Sequence, residues 1–377
     1  MHRLLLPPSR LWWLFLGGAS LAPAAFAQAG APADAEWRRC QHLSDARERL
    51  TCFDQAADRL LPPLPATGAQ AASPGAAVAA GGASDEAVPV KEPAQQLGLI
   101  SRRGIWSTLW ELEPADKHGT FNFKTYRPNY ILPLHWTSRI NEDPSSPTRP
   151  ADGSLPPYQR LEVKLQLSLR TKVIQDIGFP DADLWFGYTQ QSQWQLWNRS
   201  QSAPFRNTDH EPEVIYVVPV TGRWQSLLPF GWEWKMAQAG FAHQSNGQSG
   251  ALSRSWNRVY LGVAAENGPW SLQARWHRRL HEGGPNDDNP DLVSYIGQGD
   301  VTLGWFPGRA TAQLQWKPAF GRLERGSWTL SGTYPVRAAQ PQGLRWYGQL
   351  FTGYGESLID YNVRQTSIGV GVSLFEF

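Results

Sequence analysis

The sequence predicts an all-β protein: a twelve-stranded antiparallel transmembrane β-barrel, preceded by a small disulfide-stapled helical segment and a disordered linker. Three observations carry this reading. An export signal opens the chain, and no later apolar run reaches the roughly 18 residues a transmembrane helix needs. Segments of alternating polar and apolar residues follow one another from about residue 120 onward. Nineteen tryptophans suit the aromatic girdles of a barrel at its two membrane interfaces. A soluble β-sandwich is the competing architecture, and it would leave those tryptophans uncovered.

Residues 1–27 read as a signal peptide. Arg3 and Arg10 supply the charged region, Leu11-Trp-Trp-Leu-Phe-Leu16 begins the apolar one, and Ala25-Phe-Ala27 is a small-x-small cleavage site. Removing those two arginines leaves 33 basic residues against 33 acidic ones. A formally neutral chain gives no electrostatic footprint for nucleic acid.

Residues 28–60 hold the only two cysteines, Cys40 and Cys52. In an oxidising periplasm this pair is expected to form one disulfide. Leu43, Ala46, Leu50 and Phe53 recur on related helical faces, so a small stapled helical segment is expected. Two thiols with only His42 nearby do not make a metal site. Residues 61–97 turn to Pro, Ala and Gly and read as a flexible linker. Residues 98–377 are then the barrel domain, entered through an approach segment with a short helix around Trp106 to Leu112.

Within the barrel, Leu161, Val163, Leu165, Leu167 and Leu169 alternate with Glu162, Lys164, Gln166 and Ser168. Such alternation needs one apolar face and one wet face. Near the end Ile368, Val370, Val372 and Leu374 alternate with Gly369, Gly371 and Ser373, and the chain closes on Phe377. Runs of this kind place strands near 120–138, 159–173, 182–197, 211–221, 230–245, 253–265, 268–279, 293–306, 309–317, 326–335, 343–353 and 363–376. Twelve is an even number, as closure of a bacterial barrel favours.

The chemistry concentrates in Gly240-Phe-Ala-His-Gln-Ser-Asn-Gly-Gln-Ser-Gly-Ala-Leu-Ser-Arg-Ser-Trp-Asn-Arg258. It reads as a β-hairpin. His243 and Ser245 are two apart and share a face. A turn centred near Gly250 sets 243 opposite 257 and 245 opposite 255, with opposed side chains about 5 Å apart at Cβ. Asn257 then reaches the His243 ring while Ser245 approaches from the same side. That is the layout of a nucleophile, a general base and an orienting group. A polar turn that happens to contain Ser and His is the plain alternative. Asn257 shares its face with Val259, Leu261 and Val263, whereas Trp256, Arg258 and Tyr260 occupy the other. The three polar residues therefore belong to the apolar face, which on a membrane barrel faces lipid and implies a lipid substrate.

His243-Gln-Ser-Asn-Gly247 and Ser253-Arg-Ser-Trp-Asn-Arg258 are similar to two signature blocks of the bacterial outer-membrane phospholipase A family. Asp287-Asp-Asn-Pro-Asp291 and Gly353-Tyr-Gly-Glu-Ser-Leu-Ile-Asp-Tyr-Asn362 match it further along, and the resemblance runs from about Thr120 to the C-terminus. It implies a calcium-dependent outer-membrane phospholipase that cleaves sn-1 and sn-2 acyl esters with a Ser245-His243-Asn257 triad and is activated by homodimerisation. It also implies that the Gly247 N–H serves the oxyanion, and that Ca²⁺ takes the Gln248 carbonyl, the Ser253 hydroxyl and, from the facing subunit, Ser202. Where the best-known members carry an Asp in the hairpin turn this chain has Gly250, and Asp288 is the carboxylate left to serve nearby. Gln190 matches a polar dimer-interface residue, and by parity with Leu184, Phe186 and Tyr188 it lies on the lipid face or just beyond, among the headgroups. A non-enzymatic porin or scaffold barrel, which needs an open lumen and no outward Ser/His pair, is the rival function; a soluble periplasmic esterase is a third.

Overall fold

The computed structural model describes residues 104–374 apart from 154, 285, 286 and 342, together with residues 40, 43, 45, 47–52 and 55. The expected signal peptide and linker lie outside the described residues. The chain divides into two compact units at Asp85 and Glu86, and each stands by itself below. In the first, Cys40 and Cys52 form the expected disulfide with Cα atoms 5.6 Å apart. Residues 47–52 are helical. Asp45 Oδ1 accepts the backbone N–H groups of Arg47 (2.8 Å) and Glu48 (3.1 Å), which otherwise lack partners at a helix start.

The second unit is a barrel. Its strands are β1 (Phe123–Thr125), β2 (Asn129–Thr137), β3 (Leu161–Ile174), β4 (Asp183–Trp194), β5 (Phe205–Pro219), β6 (Glu233–Ser245), β7 (Ser255–Asn267), β8 (Trp270–Leu280), β9 (Gly299–Trp305), β10 (Thr311–Pro318), β11 (Gly326–Pro335), β12 (Leu344–Gly353) and β13 (Gln365–Leu374). From β2 to β13 each strand pairs antiparallel with its neighbour in sequence, and β13 pairs back onto β2. Twelve strands thus close with no free edge, which is how a sheet satisfies its backbone inside a bilayer. Among the described residues two α-helices accompany them, α1 (Ile105–Trp110) and α2 (Val293–Ile296).

The twelve expected strands are all present, with three local differences. The expected first strand breaks at Pro128, which has no N–H to give a ladder, so β1 is a short piece on β3 while β2 closes the barrel. The fourth, β5, begins earlier than expected, at Phe205. The eighth begins only at Gly299, because 293–296 form α2, which ends at Gly297 with φ 83°.

The barrel is inside out relative to a soluble protein. Phe186, Val214, Phe241, Val259, Leu261, Val263, Leu330 and Val370 point outward and are exposed. Inward stand charged groups in pairs. Arg127 bridges Glu211 (2.7 Å) and Glu213 (2.5 Å), Arg258 meets Glu211 at 2.6 Å, and Lys164 meets Glu356 at 2.9 Å. Pairing is what lets such charges stay buried.

α1 closes one end of the lumen. Trp106 and Trp110 pack with Trp185, Ile215, Val217, Met236 and Ala264, and the Arg170 guanidinium lies 4.2 Å over the Trp110 ring. Glu266 Oε2 accepts the N–H groups of Ile105 (2.9 Å) and Trp106 (3.3 Å), so a carboxylate satisfies the start of the helix. At the other end the segment between β12 and β13 folds inward. There Glu356 accepts from Lys164 and from Ser367 Oγ, while Asp360 pairs with Arg206 at 2.8 Å. A polar cavity of about 340 Å³ remains between the two closures.

Candidate active site

The β6–β7 hairpin has the register read from its sequence: His243 faces Asn257 and Ser245 faces Ser255. Its inward residues anchor it. Trp256 is 4 % exposed, donates from Nε1 to Gln244 Oε1 at 2.9 Å, and carries the Arg258 guanidinium 4.4 Å from its ring centroid. Residues of opposite parity must then turn outward. His243, Ser245 and Asn257 accordingly share a side with the exposed Phe241, Val259 and Leu261, and each is half-buried.

His243 Nδ1 lies 2.9 Å from Asn257 Oδ1. An amide oxygen only accepts, so this contact places the proton on Nδ1 and leaves the Nε2 lone pair free in the neutral ring. The backbone N–H of Gly247, at φ 65°, donates to Ser245 Oγ at 3.1 Å. The left-handed turn that glycine permits points this donor at the hydroxyl.

Two residues that the sequence reading did not single out complete the surroundings. Asn257 Nδ2 donates to Glu282 Oε1 at 2.7 Å. On the other flank His210 pairs with Ser245 across β5–β6, and its Nδ1 lies 2.7 Å from the Tyr188 hydroxyl. Both were reachable by parity. The turn at Gly268-Pro269 sets Leu280 opposite Asn257, which leaves Glu282 two residues on at the same face.

The expected calcium residues sit in segments at this end of the barrel. Ser253 Oγ donates to Asp288 Oδ2 at 2.6 Å, and Ser255 Oγ approaches the same oxygen at 3.4 Å. Arg149 holds the other carboxylate oxygen, with Nη2–Oδ1 at 2.7 Å. Burial resists ionisation of Asp288, but hydrogen bonds from Ser253 and Arg149 outweigh it and hold the carboxyl below its usual range. The Gln248 N–H donates to Asn246 Oδ1 at 3.3 Å. Ser202 is exposed in the β4–β5 turn with φ 58°. Among the described residues no three His, Cys, Asp or Glu side chains cluster as a metal site. A cation here would draw on hydroxyl, carbonyl and water oxygens beside one carboxylate, a hard-oxygen set that fits Ca²⁺.

Gln190 stands on the outer wall opposite the exposed Leu167. It accepts from the Tyr188 hydroxyl at 3.3 Å and donates to Ser192 Oγ at 3.4 Å, both long contacts within its own strand.

A closed, inside-out barrel with even strand number defines the class, a Gram-negative outer-membrane β-barrel. Comparison with known proteins then narrows it. A profile of the phospholipase A1 family matches residues 106–374. The putative phospholipase A1 of Neisseria meningitidis serogroup B is 35% identical over 355 residues, covering 89% of this chain and 89% of that protein. Phospholipase A1 of Escherichia coli K12 is 36% identical over 259 residues, covering 67% of this chain and 82% of that one. Among solved structures, outer membrane phospholipase A from Escherichia coli aligns with a TM-score of 0.59 at 33% identity, over 67% of this chain and 94% of its own. The calcium-bound dimer of the Salmonella typhi outer membrane phospholipase aligns at 0.61 and 32%, over 73% and 98%. The chain belongs to the phospholipase A1 family: it is an outer-membrane hydrolase of phospholipid esters.

Proposed function

We propose that this phospholipase uses Ser245, His243 and Asn257 as a triad on its lipid-facing wall, depends on Ca²⁺, and works as a homodimer on sn-1 and sn-2 acyl esters of phospholipids and lysophospholipids. The observation that carries the reading is the 2.9 Å His243–Asn257 contact, with Ser245 two residues along on the same outward face. An acyl chain beside the wall brings its ester to the hydroxyl without entering the lumen.

His243 Nε2 takes the Ser245 proton as Oγ attacks the ester carbonyl. The Gly247 N–H, released from Oγ, donates to the carbonyl oxygen as negative charge develops there. His243 then gives its proton to the leaving alcohol oxygen, which departs as the lysolipid. The same imidazole then takes a proton from water as its oxygen attacks the acyl-serine carbonyl, and returns it to Ser245 Oγ as the C–Oγ bond breaks and the fatty acid leaves. Asn257 holds the ring throughout.

Ser253, Asp288 and the Gln248 carbonyl, with Ser202 of the partner subunit, would hold the cation. Its charge would supply electrostatic stabilisation for the developing oxyanion, beside the Gly247 N–H. The Salmonella typhi dimer with bound calcium supports both expectations by likeness. Gln190 is assigned to the dimer contact, where a polar pair in a membrane contributes about 1 kcal/mol. The porin alternative is disfavoured by the α1 cluster and the ion-paired lumen.

The test is lysolipid release by purified protein, titrated with Ca²⁺ and compared with Ser245→Ala. The variant should migrate as a folded barrel and release nothing above background. Full activity in Ser245→Ala removes the nucleophile, activity undiminished by chelator removes the cation, and an isolated monomer as fast as the cross-linked dimer removes the dimer.

A further inference from the structure

Asn257 has two polar atoms and two partners of opposite demand. Oδ1 faces His243 Nδ1 at 2.9 Å, and Nδ2 donates to Glu282 Oε1 at 2.7 Å. Glu282 lies two residues beyond the end of β8, on the outward parity and half-buried. Leu280, the last residue of that strand, pairs with Asn257, so the glutamate stands on the flank of the amide away from the histidine.

The amide could be turned over with almost no change of shape, and only its partners decide which end meets the imidazole. Turned over, its oxygen would face the Glu282 carboxylate, acceptor against acceptor, and its NH₂ would face His243. In that arrangement Nδ1 accepts, the proton moves to Nε2, and no lone pair is left for the Ser245 proton. With Glu282 in place that state loses a charge-assisted hydrogen bond and adds a repulsion. The carboxylate also draws electron density toward Asn257 Oδ1, which strengthens the acceptor facing the imidazolium that forms during acyl transfer.

We propose that Glu282 is a fourth, positioning member of the site, fixing the orientation of the Asn257 amide and through it the reactive tautomer of His243. The proposal rests on the triad reading above. Glu282 touches no reacting atom, so its effect belongs in kcat, and it must vanish when Asn257 is absent.

The experiment is a double-mutant cycle with Glu282→Ala, Glu282→Gln, Asn257→Ala and the Asn257→Ala/Glu282→Ala pair, on folded barrel in detergent micelles with Ca²⁺. Glu282→Ala should lose about tenfold in kcat, about 1.4 kcal/mol, with KM within twofold. Glu282→Gln, whose carbonyl can still accept from Nδ2, should keep most of the rate. In the Asn257→Ala background the second substitution should change nothing further. The inference is overturned if Glu282→Ala keeps wild-type kcat, if Glu282→Ala and Glu282→Gln lose equally, or if the loss persists without Asn257. Ser245→Ala run in parallel separates the two failures: an inactive Ser245→Ala beside an unaffected Glu282→Ala ends this inference alone, and an active Ser245→Ala ends the triad as well.

Discussion

The Ser253 hydroxyl donates to Asp288 Oδ2 at 2.6 Å, joining the turn after β6 to the segment after β8. These are the hydroxyl and carboxylate assigned to the cation, already in contact. Ser253→Ala and Asp288→Asn should each raise the Ca²⁺ concentration for half-maximal lysolipid release about tenfold or more, roughly 1.4 kcal/mol of binding. The measurement is a calcium-buffered titration. An unchanged midpoint in both variants would remove these residues from the site.

The same carboxylate gives a pH prediction. Its folded pKa lies below the ordinary value, so the folded state holds fewer protons than the unfolded one between the two values. The stabilisation is therefore fully present above the ordinary carboxylate pKa of about 3.9 and is lost as pH falls through the depressed one. Thermal unfolding of wild type and Asp288→Asn should differ at pH 6 and converge toward pH 3. A gap that is constant over that range contradicts the assignment.

Leu261 is 59 % exposed on the outer wall, with Ala239 and Trp276 as its ladder neighbours. Leu261→Arg places a charge toward the hydrocarbon and should cost about 2–4 kcal/mol near the midplane. Denaturant unfolding from lipid vesicles measures this. A shift no larger than that of Leu261→Ala would mean the face is not in the bilayer.

Glu266 also meets Lys235 at 2.9 Å. Glu266→Ala removes the acceptor for the first two N–H groups of α1, with each unsatisfied group costing about 1–3 kcal/mol. Amide exchange over residues 105–110 should accelerate while β7 and β8 remain protected. Equal protection in wild type and variant would show that the aromatic cluster holds the helix without the carboxylate.

Most of the barrel was legible because a lipid-facing wall imposes period two along each strand, broken only locally, as at the bulges between Lys172 and Ile174 and between Trp234 and Met236. Leu161 to Leu169 alternate in the sequence for the same reason that Lys164 is buried and Leu167 exposed. The His243–Asn257 and Ser245–Ser255 pairings followed from one turn position. What could not be read were contacts between segments distant in sequence. Nothing local places Arg149 on Asp288, or sends Glu356 inward to Lys164. Glu282 and His210 were accessible in principle, but only by extending the register across β8 and β5 on either side of the hairpin.

The closures by α1 and by the β12–β13 segment have a consequence for traffic. With the proposed triad on the outer wall, substrate and products share the two-dimensional fluid around the barrel, so neither ester nor fatty acid needs a door through the protein. On that reading the paired charges of the interior serve the rigidity of the barrel, and substrate choice belongs to the outside of the wall.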